Sequence, residues 1–283
     1  MPALAGTLLL LAALLVGAPR ATLAQEPCAS PCVGPASGTL VLAGGGTLGP
    51  DIFARFVELS GGPGAHIVVI PTAGADERYG PDWEGLGPLR AAGATRITVL
   101  HTRDRRVADS PEFVRPLRTA DGVWIPGGRQ GRLVDTYLGT RTHAELGRVL
   151  RRGGVVGGSS AGASILASYL VRGSVESNEV LMAPGYEEGF GFLRNAAVDQ
   201  HVIARSRVHD MLLILQEHPR LLGIGLDEGT AIVVRGDRAE VLGRSAVAVY
   251  DPADAERLFY WLAPGDVYDL GDRTLERSEP PSP

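Results

Sequence analysis

The sequence contains no lysine: each of its 27 basic residues is an arginine, in a chain of 283 residues. This absence excludes chemistry that needs a lysine amine, namely Schiff bases, serine–lysine dyads and Walker-type phosphate loops. Acidic residues outnumber the arginines, and the formal net charge is −5. An acidic chain argues against a nucleic-acid-binding protein, whose surface would carry a basic patch.

Cysteine is almost as scarce, because Cys28 and Cys32 are the only two and lie close together near the N-terminus. Their position excludes a cysteine nucleophile and a cysteine-rich metal site in the rest of the chain. In an oxidising compartment the two thiols can pair into a small loop, which the sequence alone does not decide. The histidines and acids show no spacing such as H-E-x-x-H, so we expect no metal and no cofactor.

Only one long apolar run is present, at residues 8–16. It is too short to span a bilayer, and Thr-Leu-Ala at residues 22–24 resembles the small-residue site at which signal peptides are cut. We therefore predict a signal peptide over residues 1–24, cleavage after Ala24, and a secreted or periplasmic protein. The alternative is an uncleaved membrane anchor, since no basic residue precedes the run.

Short apolar, β-branched segments alternate with amphipathic ones along most of the chain, which predicts an α/β fold. The fold class is a mostly parallel sheet with helices on both faces and a C-terminal antiparallel extension. We predict strands at residues 39–43, 66–70, 96–100, 122–125, 154–157, 222–226, 230–234, 239–243 and 246–250, and helices at residues 52–59, 83–92, 111–118, 142–152, 164–171 and 202–217.

Composition also sets the expected boundaries of the domain. Residues 25–38 are rich in proline, serine and glycine and predict a linker. Residues 39–274 predict a single α/β domain without repeats. Residues 275–283 end in Pro-Pro-Ser-Pro and predict a flexible tail.

The first glycine-rich segment, GGGTLG at residues 44–49, matches the G-x-G-x-x-G pattern of dinucleotide sites. The second predicted strand ends in Ile-Pro-Thr-Ala, however, and offers no carboxylate for a ribose hydroxyl. We therefore favour a tight strand-to-helix turn over a dinucleotide-binding oxidoreductase.

A second glycine-rich segment, GSSAG at residues 158–162, lies between a predicted strand and a predicted helix, as a nucleophile elbow requires. Gly158 and Gly162 supply the small flanking residues for Ser160, whereas the residues around Ser159 fit less well. Ser160 is therefore the candidate nucleophile. A phosphate-binding loop and a structural turn with a capping serine are the alternatives, and the missing lysine disfavours the first.

A catalytic serine needs a base and an acid that orients the base. Among the six histidines, His201 stands out because it follows an apolar segment and precedes a predicted helix. Such transitions are where α/β folds collect functional groups. Asp227 and Glu228 lie between two predicted strands, where either can orient the histidine or simply cap a turn.

With these residues the chain resembles peptidase family S51, which comprises cyanophycinase and cyanophycinase-like serine peptidases. Four motifs carry the resemblance in order: PGGRQ at residues 126–130, GSSAGA at 158–163, DQH at 199–201 and GLDEGTA at 225–231. The resemblance implies a flavodoxin-like fold of the class I glutamine amidotransferase type. It also implies Ser160 as nucleophile, His201 as base, Glu228 as acid, and an oxyanion hole formed by Gly128 and Ala161.

The resemblance further implies a set of substrate contacts, which are Gln130, Asp199, Gln200, Arg205 and Arg207. Two guanidinium groups suit an acidic residue beside the scissile bond, because each binds a carboxylate bidentately. The alternative is two solvated arginines. Asp210 departs from the family, whose cyanophycin-cleaving members tend to carry a basic residue near that position.

We therefore predict a secreted serine exopeptidase that hydrolyses β-aspartyl-arginine or related aspartyl bonds through an acyl-enzyme on Ser160. The expected partner is an aspartate-containing peptide or a cyanophycin-like polymer, with no nucleic acid, and the resemblance allows a homodimer. The alternatives are an isoaspartyl or Asp-X dipeptidase without polymer activity, and a non-catalytic binding protein of the same fold.

Overall fold

The computed structural model describes residues 32–254 and 256–276. The predicted signal peptide, its cleavage site and Cys28 lie outside the described residues. Cys32 is buried and disulfide-bonded. In the described part of the chain, no helix is long and apolar enough to cross a membrane.

Strands and helices alternate through the first half of the chain, and strands dominate the second half. The described elements are β1 (Thr39–Ala43), α1 (Pro50–Leu59), β2 (His66–Val69), α2 (Gly87–Ala91), β3 (Arg96–Val99), α3 (Arg105–Ala108), β4 (Gly122–Ile125), α4 (Gln130–Tyr137), α5 (Arg141–Arg151), β5 (Val155–Ser159), α6 (Ala161–Ser164), β6 (Ala167–Tyr169), β7 (Leu193–Gln200), α7 (Asp210–Glu217), β8 (Leu222–Leu226), β9 (Thr230–Arg235), β10 (Arg238–Gly243), β11 (Val247–Tyr250), β12 (Tyr260–Leu262), β13 (Val267–Asp269) and β14 (Thr274–Glu276).

Nine strands form a mixed sheet in the order β14-β13-β10-β9-β1-β5-β4-β2-β3. The strands β1, β5, β4, β2 and β3 run parallel. From β9 onward the neighbours are antiparallel and continue the sheet through β10, β13 and β14. This topology confirms the predicted α/β fold with a mostly parallel sheet and a C-terminal antiparallel extension.

A second sheet, in the order β12-β11-β8-β7-β6, was not predicted. Its strands β6, β7 and β8 are parallel, and β11 and β12 pair antiparallel beyond β8. The last three apolar segments before residue 250 were expected to form one antiparallel extension, but they divide between the two sheets. A two-residue turn at Gly236 and Asp237 pairs β9 with β10 beside β1, whereas β8 and β11 pair with each other.

The large sheet is buried on both faces, which explains its uninterrupted apolar strands. Along β1, Leu40 and Leu42 point into an apolar cluster that also contains residues of the second sheet. Val41 and Ala43 point to the opposite face, where they pack near α1. The two sheets therefore share one core, and the large sheet has a second core on its other face.

Two predicted helices are broken into shorter pieces, while α1 and α5 lie where the periodicity predicted them. Residues 83–92 form a 3-10 turn, Glu84–Leu86, followed by the short helix α2. Residues 111–118 form no α-helix, and their second half belongs to the 3-10 helix Arg115–Thr119. Glycine and proline within these segments interrupt longer helices.

Two further helix predictions were wrong beside the candidate site. Helix α6 ends at Ser164, and residues 167–169 of the predicted helix at 164–171 form β6 because the aromatic and β-branched side chains of that segment pack into the second sheet. Helix α7 begins only at Asp210. The segment before it forms turns instead, with positive φ at His201 (57°) and Ser206 (56°).

Both predicted flexible ends are partly fixed within the described residues. The backbone N–H groups of Val33 and Gly34 donate to the Asp237 carboxylate, with N–O distances of 2.6 and 3.3 Å. The Arg194 N–H donates to the Val33 carbonyl at 2.6 Å. At the other end, the first two residues of the predicted tail belong to β14. The packed chain thus extends beyond residues 39–274 on both sides.

Candidate active site

Ser160 occupies a sharp turn between β5 and α6, with φ 52° and ψ −115°. Its backbone N–H donates to the Ala43 carbonyl at 2.9 Å, which fixes the turn to the end of β1. A Cβ atom at Gly158 would lie 2.4 Å from the Gly162 carbonyl oxygen, and one at Gly162 would lie 1.8 Å from that of Ile125. Close backbone packing therefore requires both glycines of the G-x-S-x-G motif.

Three predicted side chains form a continuous hydrogen-bonded chain. The Ser160 Oγ lies 2.9 Å from the His201 Nε2, and the His201 Nδ1 lies 2.6 Å from the Glu228 Oε1. His201 follows β7, Glu228 follows the neighbouring strand β8, and both strands run in the same direction. The structure thus brings together a hydroxyl, an imidazole and a carboxylate in the order of a nucleophile, a base and an orienting acid.

The electrostatic environment favours a neutral imidazole. Burial is the largest cause and lowers the pKa of His201 below its ordinary value of 6.5. The hydrogen bond to Glu228 acts in the opposite direction, while the positive charges of Arg205 and Arg207 lower the pKa further. At neutral pH the imidazole can therefore accept the proton of the Ser160 hydroxyl.

Asp227, the other acid in the sequence motif, binds backbone and hydroxyl groups of neighbouring loops. Its Oδ1 accepts the backbone N–H groups of Ile203 and Ala204, each at 3.0 Å, and its Oδ2 accepts the Ser245 hydroxyl at 2.6 Å. Burial raises the pKa of Asp227, but these hydrogen bonds outweigh it and hold the pKa below its usual range. Asp227 thereby fixes the turn after His201, and Glu228 is the acid that reaches the imidazole.

The glycine-rich turn between β1 and α1 packs directly against this chain. A Cβ atom at Gly45 would lie 2.5 Å from the His201 Cε1, and one at Gly46 would lie 2.3 Å from the Glu228 Oε2. Both glycines have positive φ, 97° and 63°. The sequence predicted the turn but not this contact. The available signal was a run of three glycines, more than a tight turn needs.

The same contacts bear on cofactor and metal binding. The side chains of His201 and Glu228 fill the space beside Gly45 and Gly46 of the G-x-G-x-x-G motif. Within residues 32–254 and 256–276, no group of three histidine, cysteine, aspartate or glutamate side chains is placed to hold a metal ion.

The two predicted oxyanion residues belong to segments that adjoin Ser160. Ala161 begins α6, and Gly128 follows β4, the neighbour of β5 in the sheet. Gly127 passes so close that its Cβ position would lie 3.1 Å from the Ser160 Cβ. Gly128 has φ 146°, and a Cβ atom there would lie 2.0 Å from the Ala73 carbonyl oxygen. Only glycine fits this position.

Two predicted substrate-binding glutamines are buried and incompletely paired. Gln130 begins α4, and its Nε2 donates to the Val171 carbonyl at 3.3 Å, but its Oε1 has no partner among residues 32–254 and 256–276. Gln200 ends β7 with 1% of its surface exposed, and neither atom of its side-chain amide has a partner in the described part of the chain. Unpaired buried polar groups are rare, and a polar ligand would satisfy them.

The two predicted arginines differ in their surroundings. Arg205 is exposed, and its positive charge lowers the pKa of His201. Arg207 is only 4% exposed, its Nη2 donates to the Glu179 Oε1 at 3.0 Å, and its Nη1 has no partner among the described residues. Arg207 is therefore not a solvated surface arginine.

Asp199 and Asp210 meet an arginine that the sequence analysis missed. The guanidinium of Arg172, 2% exposed, donates to both oxygens of Asp199 at 3.0 and 3.2 Å and to the Asp210 Oδ2 at 2.5 Å. Both carboxylate oxygens of Asp199 are thus bound by Arg172, and its contact with substrate stays a prediction. An arginine that ends an apolar run was the only local signal for this residue.

Several known proteins are similar to this chain over most of its length. The profile of peptidase family S51 matches residues 40–242. A cyanophycinase of Geminocystis herdmanii is 32% identical over 218 residues, which cover 72% of this chain and 75% of that protein. A cyanophycinase of Synechococcus elongatus is 32% identical over 237 residues, which cover 78% and 70%.

Two solved structures are similar to this chain. A peptidase from an acI-B1 actinobacterium is 26% identical with a TM-score of 0.65, covering 82% of this chain and 97% of that chain. A peptidase E-like protein of Listeria monocytogenes is 18% identical with a TM-score of 0.55, covering 74% and 100%, and shares the fold.

The pH dependence of the reactivity of Ser160 tests the environment of His201. We expect the rate of inactivation by phenylmethylsulfonyl fluoride to rise with pH, with a midpoint below 6.5. In Arg205→Gln the midpoint should move to higher pH, because a cation that disfavours the imidazolium is removed. A wild-type midpoint at or above 6.5, or a downward shift in the variant, would contradict this account.

The packing of the glycine turn against the imidazole can be tested with a matched pair of substitutions. Gly45→Ala should lower the inactivation rate at least about a hundredfold, because the new methyl group displaces His201. Gly62→Ala is the control, since Gly62 has a similar φ of 87° but no atom within 4 Å of its Cβ position. Both variants should lose about 1 kcal/mol of unfolding free energy from backbone strain. Equal inactivation rates in the two would refute the contact.

Proposed function

The chain belongs to peptidase family S51 and is a serine peptidase, and on this premise we propose that it hydrolyses aspartyl peptide bonds through an acyl-enzyme on Ser160. The proposed substrates are β-aspartyl-arginine bonds or related bonds, in a peptide or a cyanophycin-like polymer. The observation that carries the proposal is the hydrogen-bonded chain of Ser160, His201 and Glu228 beside the glycines that follow β4.

In the first half of the proposed reaction, the Ser160 Oγ attacks the scissile carbonyl carbon while its proton passes to the His201 Nε2. Glu228 holds the imidazolium through Nδ1. The negative oxygen of the tetrahedral intermediate lies toward the backbone N–H groups of Gly128 and Ala161. The loss of one such donor typically costs about 3–4 kcal/mol of transition-state stabilisation.

The intermediate then collapses, the C–N bond breaks, and His201 returns its proton to the leaving amine. In the second half a water molecule gives a proton to His201 and attacks the acyl carbon. The C–O bond to Ser160 breaks, and the serine recovers its proton from the imidazolium. No group outside the described residues, apart from substrate and water, is needed for this sequence.

An acidic residue at the cleavage site is proposed from the polar groups near the serine. Arg205 and Arg207 supply positive charge that acts on His201, and the buried amides of Gln130 and Gln200 have atoms without a hydrogen-bond partner among the described residues. The paired N–H donors of a guanidinium suit the carboxylate of an aspartyl residue, and side-chain amides suit its backbone. The curated relatives named cyanophycinase support the same substrate class.

A second candidate function is cleavage of isoaspartyl or Asp-X dipeptides without activity on polymer. Asp210 favours it, because an acid stands where cyanophycin-cleaving members tend to carry a basic residue. In this structure the Asp210 carboxylate pairs with Arg172. It therefore offsets positive charge at this place, whereas a basic residue would add to it. A homodimer stays a prediction for either function.

Secretion is a further part of the proposal, and it is carried by the sequence of residues 1–24 alone. If a signal peptide is cut after Ala24, protein recovered from outside the cytoplasm of the native host begins at Gln25. N-terminal sequencing of that material tests this prediction. A start at Met1 in membrane-bound material would instead indicate an uncleaved anchor.

The substrate class is tested by hydrolysis assays on three substrates: β-aspartyl-arginine polymer, β-aspartyl dipeptides and α-aspartyl dipeptides. We expect the chain beginning at Gln25 to cleave a β-aspartyl substrate and Ser160→Ala to lose at least about a thousandfold in kcat/KM. Asp227→Asn should retain more activity than Glu228→Gln, because only Glu228 touches the imidazole.

The outcomes separate the candidate functions. Polymer cleavage that is lost in Ser160→Ala supports a cyanophycinase, and cleavage of dipeptides alone supports the dipeptidase. Equal activity of wild type and Ser160→Ala would remove Ser160 as nucleophile. Absence of cleavage on every substrate would contradict the proposed substrate class and favour the non-catalytic binding protein.

A further inference from the structure

Two adjacent residues of the loop between β6 and β7, Asn178 and Glu179, contact both sides of the candidate active site. The Asn178 Nδ2 donates to the Gly128 carbonyl at 3.2 Å, and its Oδ1 accepts from the Arg129 Nη1 at 2.9 Å. The Glu179 Oε1 accepts from the Arg207 Nη2 at 3.0 Å. This pair of residues therefore connects the loop after β4 with the buried arginine.

The ion pair between Glu179 and Arg207 is strongly asymmetric. The side chain of Arg207 is 4% exposed, whereas that of Glu179 is 79% exposed. An exposed carboxylate returns to water at little cost, and ion pairs with such groups are weak. The buried guanidinium cannot be solvated in the same way, so it needs a carboxylate partner more than Glu179 needs Arg207.

Arg207 also retains unused capacity for hydrogen bonding. Its Nη1 is buried and has no partner in the described part of the chain, although a guanidinium binds a carboxylate best through two parallel N–H donors. Glu179 meets only Nη2, which also lies 3.5 Å from the Asn178 carbonyl oxygen. A carboxylate from solution that engages both donors would bind more favourably than Glu179.

The other charges that act on Arg207 do not provide this second carboxylate. They are Arg172, Asp199 and Arg205. Asp199 is bound through both of its oxygens by Arg172, and the two arginines repel further positive charge. Glu179 is therefore the one carboxylate seen to hydrogen-bond Arg207 among the described residues.

We propose that Glu179 is a specificity-determining residue, which occupies Arg207 in the free enzyme and is displaced by a carboxylate of the substrate. The inference rests on the proposed function, since it assigns the substrate carboxylate to Arg207. Only a ligand with a carboxylate in reach of Arg207 recovers the interaction that is lost when Glu179 leaves. A neutral ligand of the same shape does not need Arg207 and leaves Glu179 in place, so Glu179 competes with acidic ligands alone, lowers their apparent affinity and reduces their advantage over neutral ligands.

The test measures ligand binding to Ser160→Ala, so that it does not depend on hydrolysis. The probes are β-aspartyl-arginine and the same dipeptide with the aspartyl α-carboxylate converted to a carboxamide. Glu179→Gln is compared with Glu176→Gln, the matched control, because Glu176 is an exposed glutamate on the same loop. Calorimetric titration of both probes into each double variant gives the dissociation constants.

We expect Glu179→Gln to bind the acidic dipeptide about fivefold more tightly, which corresponds to Glu179 occupying Arg207 for about four-fifths of the time in the free enzyme. The carboxamide probe should gain less than about twofold, and Glu176→Gln should match the parent for both probes. In the presence of the Ser160 hydroxyl, KM of Glu179→Gln should fall by the same factor while kcat changes less than about twofold.

Several results would overturn the inference. They are unchanged binding in Glu179→Gln, absence of binding to every variant, and an equal gain for both probes, which would indicate a loosened loop. Weaker binding would show that Glu179 contacts the ligand itself. A gain specific to the acidic probe in a protein that hydrolyses nothing would instead retain the inference and refute the proposed function, so the two failures are distinguishable.

Discussion

The docking of the two sheets is the constraint on which the rest of the site depends. Ser160 follows a strand of the large sheet, and His201 follows a strand of the second sheet. Glu228 lies where the chain passes from one sheet to the other. The distances of 2.9 and 2.6 Å along this chain of side chains tolerate little displacement. The apolar cluster shared by both sheets holds that geometry.

The sequence was informative wherever close packing leaves one choice of residue. Gly158 and Gly162 can be read as an elbow because any side chain there would collide with backbone oxygen atoms. The strands of the parallel sheet could be predicted for a related reason, since burial on both faces demands continuous apolar segments. In these places the local sequence and the final structure are linked by sterics alone.

Other features depend on partners that are distant in the chain. Nothing in the residues beside Arg172 indicates that it binds Asp199 and Asp210, because a buried arginine has no periodic signature. The pattern of residues 164–171 fits a helix equally well, and only pairing within the second sheet makes part of this segment a strand. Likewise, the residue pattern alone left Asp227 and Glu228 equivalent, and only the resemblance to family S51 assigned Glu228 as the acid. The physical reason lies in a remote turn and Ser245, whose N–H and hydroxyl groups bind Asp227.

Because the hydrogen-bonded chain of side chains is divided between two sheets, enzymatic activity also reports how the two sheets are packed against each other. Each sheet can keep its own backbone pairing while the apolar interface between them relaxes by a fraction of an ångström. Such a relaxation would separate the serine from the imidazole before any strand is lost. Heat or mild denaturant should therefore abolish activity while circular dichroism still reports intact secondary structure. Turnover would then measure the integrity of the interface between the two sheets of one chain.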